Sequence, residues 1–189
     1  MSSQLKNGFE DVNKEILIQA IRNGLYSTNL LLDSKDIQKT IQTYFQKKQE
    51  ENKKKELAKF EVYKKEGIAF LEANKTQEGV KTTKSGLQYS ILKEGKGKKA
   101  KTTDRVKVHY HGTTVDGTVF DSSVDRGTPS EFGVTQVIKG WTEGLQLMKV
   151  GSKYIFFIPQ ELAYGANPRP GIIKPYMALI FEVELLEIK

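Results

Sequence analysis

The hydrophobic period of this chain changes once, and that change constrains the fold more than any single motif. Up to about residue 75 the apolar residues recur at helical spacing; from Gly86 onward they alternate. Neither proline nor glycine interrupts Ser34 to Glu66. This stretch opens with an apolar face of Ile37, Ile41, Tyr44 and Phe45, loses it from Gln46 to Glu56, and regains it at Leu57, Phe60, Tyr63, Ile68, Phe70 and Leu71. The spacing predicts one helix of about 40 residues, near 60 Å long at a rise of ~1.5 Å per residue. Its polar middle is expected to bridge through solvent, supported by Glu50–Lys54 and Glu51–Lys55 at i,i+4. A coiled coil is excluded because the heptad pattern fails through residues 46–56. Ahead of it, Asn13 is a candidate N-cap for a helix carrying Ile16, Leu17, Ala20, Ile21 and Leu25. Leu30, Leu31 and Leu32 follow, and Asp33-Ser34 caps the long helix. So few residues cannot close a core alone, which predicts a homodimer through residues 9–45 with two-fold symmetry.

Asn74 to Lys84 is a polar joint. Beyond it Leu87, Tyr89 and Ile91 alternate, as do Val106, Val108 and Tyr110, and Asp116-Gly117 is a hairpin turn between Thr113–Val115 and Thr118–Phe120. Further strands are expected around Phe132 and Val134, over Lys153–Ile158 and over Ala178–Ile188, with a Pro/Gly-rich loop from Ala163 to Gly171. Among them lies one short helical pattern, Val137, Ile138, Trp141, Leu145 and Met148, ended by Gly151. It holds the only tryptophan, which is either plain core or the floor of an apolar pocket. The predicted class is α+β: an antiparallel half-barrel sheet wrapped on a short helix, preceded by an all-α arm with one long linker helix. The predicted boundaries are 1–45 for helical dimerisation, 46–84 for the linker helix and joint, and 85–189 for the sheet domain.

Composition removes several function classes. The net charge of +7 is spread along the chain, and the local cluster Lys96 to Lys101 has no interleaved aromatics for base stacking, so nucleic acid is not expected as a partner. No apolar run is long enough to span a bilayer. Residues 1–6 lack the apolar centre of a signal peptide; either the protein is not exported or the sequence starts after cleavage. Cysteine is absent, which removes a thiol nucleophile. His109 and His111 share one face of a strand but turn away from the apolar face of Val108 and Tyr110 and lack a third ligand; they are read as an exposed pair. No metal or cofactor is expected. Nucleophile-elbow, phosphate-loop and zinc-helix motifs are missing. What remains is a ring of apolar side chains (Tyr110, Phe120, Val137, Ile138, Trp141, Tyr164, Ile172, Ile173 and Phe181) with one charged pair, Asp121 and Arg126.

The segments VHYHGTTVDGTVFDSSVDRG, QVIKGWTEGLQLMKVGSK, IPQELAYG, PGIIKP and ALIFEVELLEI, in order over residues 85–189, resemble the FKBP-type peptidyl-prolyl cis–trans isomerases. The arm, with LLL before a long helix and GIAFLEANKTQEGVKTTKSGLQY at its end, is similar to the macrophage infectivity potentiator branch of bacterial relatives. The resemblance implies a rotamase that assists protein folding on proline-containing polypeptides, and inhibition by macrolides of the rapamycin or tacrolimus type. It also implies a homodimer through the N-terminal helices, located in the periplasm or cell envelope; the alternative location is cytoplasmic. Trp141 is then the pocket floor, with Tyr110, Phe120, Val137, Ile138 and Phe181 as walls. Asp121 faces the reacting carbonyl, supported by Tyr110 and Arg126, and Tyr164 and the Ile138 amide hydrogen-bond the ligand. Phe132, Arg169, Ile172 and Ile173 complete the expected substrate-binding set. Ser130 stands where many relatives place an aromatic, and Arg169 where a histidine is common. A folding chaperone that holds unfolded chains between two arms is the alternative function.

Overall fold

The computed structural model describes residues 34–168 and 170–189, with residues 34–38 as backbone only, together with Glu15, Ile18, Gln19, Arg22 and Asn23. The expected helix around residues 13–25 and the Leu30–Leu32 run therefore lie largely outside the described residues, as does Arg169. The chain forms two compact units, Met1–Lys53 and Lys54–Lys189.

In the first unit, α1 (Ser34–Ala58) begins. It exposes Ile41 and Phe45, one turn apart, and the Phe45 ring stands edge-on to Tyr44 at 5.9 Å. The single helix expected over residues 34–74 is two helices, because Phe60 leaves the helical backbone region (φ −101°, ψ 3°). There the ladder tightens to i→i−3 bonds: the Lys59 amide donates to the Glu56 carbonyl at 3.2 Å and the Phe60 amide to that of Leu57 at 2.9 Å. The Phe60 ring stacks on Tyr63 (6.2 Å, 22°), which gives the break a packing partner. The Glu50–Lys54 and Glu51–Lys55 pairs do not form; among the described residues the ion pairs of the helices are at i,i+3, as in Lys59–Glu56.

In the second unit, α2 (Glu61–Asn74) packs on the sheet. Phe70 meets Phe157 at 6.0 Å, the Gln88 amide donates to the Leu71 carbonyl at 2.8 Å, and Asn74 donates to the Gln88 side chain at 2.8 Å. The strands are β1 (Val80–Thr82), β2 (Gln88–Lys93), β3 (Arg105–Thr114), β4 (Val119–Ser122), β5 (Ser130–Gly133), β6 (Lys153–Ile158) and β7 (Leu179–Ile188). All pair antiparallel in the order β1-β2-β6-β7-β3-β4, with β5 also on β3. β1 falls inside the segment expected to be a joint; one apolar residue in Val-Lys-Thr is too little to signal a strand. The period-two pattern is faithful in β3, β6 and most of β7: in β3, Val106, Val108, Tyr110, Gly112 and Thr114 are buried, and the residues between them are not.

The buried face of the sheet carries α3 (Lys139–Leu147). Gly140 and Gly144, one turn apart, let this helix lie flat on β6. A Cβ at Gly140 would come within 2.6 Å of Ile158, and one at Gly144 within 2.6 Å of the Phe156 ring. Leu145 and Met148 are fully buried beside Val106, Val108, Val183 and Leu185. The missing side chains at Gly140 and Gly144 thus set the depth of the helix, and that depth sets the height of Trp141 above the sheet.

Candidate functional site

Three aromatic rings stand almost perpendicular to the indole of Trp141. Tyr110 from β3 lies at 5.3 Å and 83°, Phe181 from β7 at 5.2 Å and 82°, and Phe132 from β5 at 5.7 Å and 86°. Edge-to-face contacts suit the ring quadrupoles, each worth about 0.5–1.5 kcal/mol beyond area burial. The arrangement gives a box with the indole as floor and three aromatic walls. Phe120 of β4 extends it by packing edge-on to Phe181 at 5.3 Å. That contact needs Gly112 between the strands, since a Cβ there would lie 2.8 Å from both rings. The indole Nε1 is buried without a hydrogen-bond partner.

The polar rim is built from the same two strands and the turn after them. The Tyr110 hydroxyl donates to Asp121 Oδ2 at 2.6 Å, and Arg126 Nη2 donates to the Tyr110 hydroxyl at 2.9 Å. Arg126 Nη1 closes the triangle on Asp121 Oδ1, and its guanidinium stands 5.6 Å from the Tyr110 ring centre. Burial pushes the Asp121 carboxyl upward, but the hydrogen bonds from Tyr110 and Arg126 outweigh it, leaving the group below the ordinary aspartate range. Burial and the bond to Asp121 raise the Tyr110 phenol. The rim is therefore an anionic carboxylate, a neutral phenol and a guanidinium, held in one geometry across neutral pH. Among the described residues no His, Asp and Glu cluster could hold a metal ion.

Comparison with known proteins gives this geometry its family. Residues 96–186 match the family model described as FKBP-type peptidyl-prolyl cis-trans isomerase, and residues 1–91 match the domain amino terminal to it. The chain belongs to the FKBP-type peptidyl-prolyl cis–trans isomerases. It is 48% identical over 178 residues to the FKBP-type isomerase FkpA of Aeromonas hydrophila, covering 94% of this chain and 66% of that protein. It is 54% identical over 130 residues to the FKBP-type 22 kDa isomerase of Escherichia coli, covering 69% of this chain and 63% of that protein. The chain thus spans just under two thirds of these two relatives. The outer membrane protein MIP of Legionella longbeachae is 40% identical over 200 residues, covering all of this chain and 81% of that protein. The crystal structure of Escherichia coli FkpA superposes with a TM-score of 0.68 at 35% identity, covering 100% of this chain and 89% of that one.

Within this FKBP-type domain, Tyr110, Phe120, Asp121, Arg126, Phe132, Trp141 and Phe181 come together directly. Val137, Ile138 and Ile173 line the edge of the same core, half-buried. Ile138 also sits immediately before α3 with an extended backbone (φ −61°, ψ 152°). Tyr164 and Ile172 stand exposed on the loop after the 3₁₀ turn Gln160–Leu162, and no ring contact joins Tyr164 to the box. Ser130 is half-buried opposite Val108, two residues from Phe132, whose ring supplies the wall on that strand. Sequence reasoning missed Gly112, whose signal was a glycine in the middle of a strand pattern. It placed the histidine pair on the outer face correctly but took it as exposed. His109 and His111 are half-buried, because Ser122 at the end of β4 and Ser123 just after it lie against them.

Proposed function

We propose that this FKBP-type chain accelerates rotation about X–Pro peptide bonds by seating the proline ring on Trp141 inside the aromatic box. The observation that carries this reading is the set of three rings perpendicular to one indole, bounded by the Tyr110–Asp121–Arg126 triangle. The barrier of about 18–20 kcal/mol is amide resonance lost as the C–N bond twists, so no proton transfer or covalent bond is required. The planar amide is the more charge-separated form. A dry box disfavours it and accepts the twisted form, which is binding stronger in the transition state than in the ground state. Asp121 fixes the Tyr110 hydroxyl and Arg126 along the rim, where they flank the substrate carbonyl. The Ile138 amide and the Tyr164 hydroxyl are the donors for the flanking peptide groups. Val137, Ile172 and Ile173 extend the apolar surface for the residue before proline, and Arg169 joins them in the substrate-binding set.

The same box takes macrolides of the rapamycin or tacrolimus type, whose cyclic amide presents the same shape as a seated proline. The arm forms a homodimer through residues 9–45, supported by the exposed Ile41 and Phe45 face of α1. Residues 46–84 then serve as linker and joint, and residues 85–189 as the isomerase domain. A relative named as an outer membrane protein supports a place in the periplasm or cell envelope. No described helix is long and apolar enough to cross a membrane.

The decisive experiment is isomerisation of a short X-Leu-Pro-X peptide by the full chain and by Trp141→Leu. The variant is expected to lose at least about tenfold in kcat/KM, on the scale of one anchoring aromatic contact, while keeping its far-UV circular dichroism. A wild-type chain that is folded and inactive on every X–Pro peptide overturns the reading.

A further inference from the structure

Tyr110 points into the box, and its neighbours on β3 point the other way. Strand pairing sets His111 opposite Ser122 and Gly112 opposite Asp121, so Asp121 and the histidine clip occupy adjacent rungs. β4 ends at Ser122, and the chain then turns through Ser123, Val124 and Asp125 to Arg126; the two serine side chains are buried. Each hydroxyl meets a backbone amide and an imidazole nitrogen. Ser122 Oγ accepts from the Asp125 amide at 3.1 Å and lies 3.0 Å from His111 Nδ1. Ser123 Oγ accepts from the Tyr110 amide at 2.8 Å and lies 3.1 Å from His109 Nδ1. Its other acceptor, the Tyr110 carbonyl, is farther at 3.3 Å, while the Ser123 amide donates to that carbonyl at 2.9 Å.

In both cases the hydroxyl accepts from a backbone amide and is bridged to an imidazole Nδ1, with Ser123 Oγ also within reach of the Tyr110 carbonyl. The surroundings of the pair are polar. On β7, Glu184 is opposite His109 and Glu182 is opposite His111; Lys153 of β6 pairs with Glu182 at 2.6 Å, and the Asp125 carboxylate lies 3.8 Å from His111 Nδ1. The turn is thus clamped from the outer face of the sheet while its products, Asp121 and Arg126, are presented on the inner face.

We propose that His109 and His111 are positioning residues for the isomerase site: by hydrogen-bonding Ser123 and Ser122 they hold the turn that aligns Asp121 and Arg126 with Tyr110. This rests on the proposed isomerase reading. Neither histidine touches substrate. Loss of an imidazole takes a hydrogen-bond partner from a buried serine hydroxyl, and the turn relaxes to replace it.

The test uses the full chain with His111→Leu, His111→Asn and His111→Gln, each also in an Asp121→Ala background, assayed on a short X–Pro peptide. Asn places a hydrogen-bonding amide group where Nδ1 was; Gln places one near Nε2. His111→Leu and His111→Gln are expected to lower kcat about tenfold with KM changed less than about twofold, the scale of one buried hydrogen bond. His111→Asn should stay within about twofold of wild type on the same scale. In the Asp121→Ala background His111→Leu should have no further effect, because the group it positions is gone. Equal kcat for Leu, Asn and wild type overturns the proposal, as does a Leu effect that persists undiminished without Asp121. If His111→Leu does not fold, the Asn and Gln pair decides: equal turnover overturns the proposal, and Asn well above Gln supports it. An inactive wild type would instead remove the isomerase reading, which separates the two failures.

Discussion

Helix α1 runs for 25 residues and α3 for nine, yet the short one determines more of the structure. Between Lys39 and Ala58 no side chain of α1 is fully buried, and the large apolar side chains of Ile41 and Phe45 are about half exposed. Four of the nine residues of α3 are buried, two of them glycines in close contact with β6. The difference shows that helix length carries little information about stability. A helix gains what its face buries, and α3 buries nearly everything on one side while α1 relies on whatever covers Ile41 and Phe45. Charge follows the same division. The Lys59–Glu56 pair at the end of α1 is solvated on both sides, whereas Asp121, Arg126 and Tyr110 meet at the rim of an apolar box.

The sharpest way to break the comparison is at Gly144. Gly144→Val forces β-branched atoms onto the Phe156 ring, and a loss of about 3 kcal/mol or more is expected in chemical unfolding of the sheet domain, as for overpacking of a rigid core. A loss below 1 kcal/mol would show that α3 can lift off β6 without consequence, making it no different from α1.

A smaller effect is expected at the rim. Against the upward push of burial, hydrogen bonds from Tyr110 and Arg126 hold the Asp121 carboxyl below the ordinary aspartate value of 3.8 in the folded chain, so it stabilises the fold above that pH, and the contribution is lost as the pH falls from there through the lowered folded value. Asp121→Asn should flatten the acid limb of stability by less than ~1 kcal/mol, since the group is partly solvated. Unfolding free energies measured between pH 7 and pH 3 check this. An unchanged acid limb would put Asp121 in the same class as the solvated pairs of α1.

The smallest change in the sheet domain is expected from Ile41→Ala with Phe45→Ala: under about 0.5 kcal/mol for its unfolding, as for exposed sites. The same double variant should raise the dissociation constant of the proposed dimer several-fold, read by light scattering over a concentration series. A chain that is monomeric before substitution would remove the second copy as the cover for that face.

The sheet was legible because nearly every strand has one apolar face, and alternation reports that directly; β3 reads buried at every second residue from Val106 to Thr114. The box was legible through the order of its motifs, with Trp141, Tyr110 and Phe181 each on the buried side of its element. The break at Lys59-Phe60 was not, since no proline or glycine marks it and a backbone change at one residue is decided by how Phe60 packs on Tyr63. The histidine clip was hidden for a different reason. Alternation correctly placed His109 and His111 on the outer face, but a half-buried position there depends on where the turn after β4 goes, and Ser122-Ser123 looks in sequence like any polar turn.

The strand order has a consequence for how the molecule comes into being. β7, the last strand in chain order, lies in the middle of the sheet between β6 and β3. Until residues 179–188 leave the ribosome, β6 and β3 have no common partner, and the box has no Phe181 wall. A nascent chain that has already made its helices and the β3–β4 hairpin is therefore still two separate sheet fragments with bare edges, open to other strands. The ten residues of β7 complete both the sheet and the box.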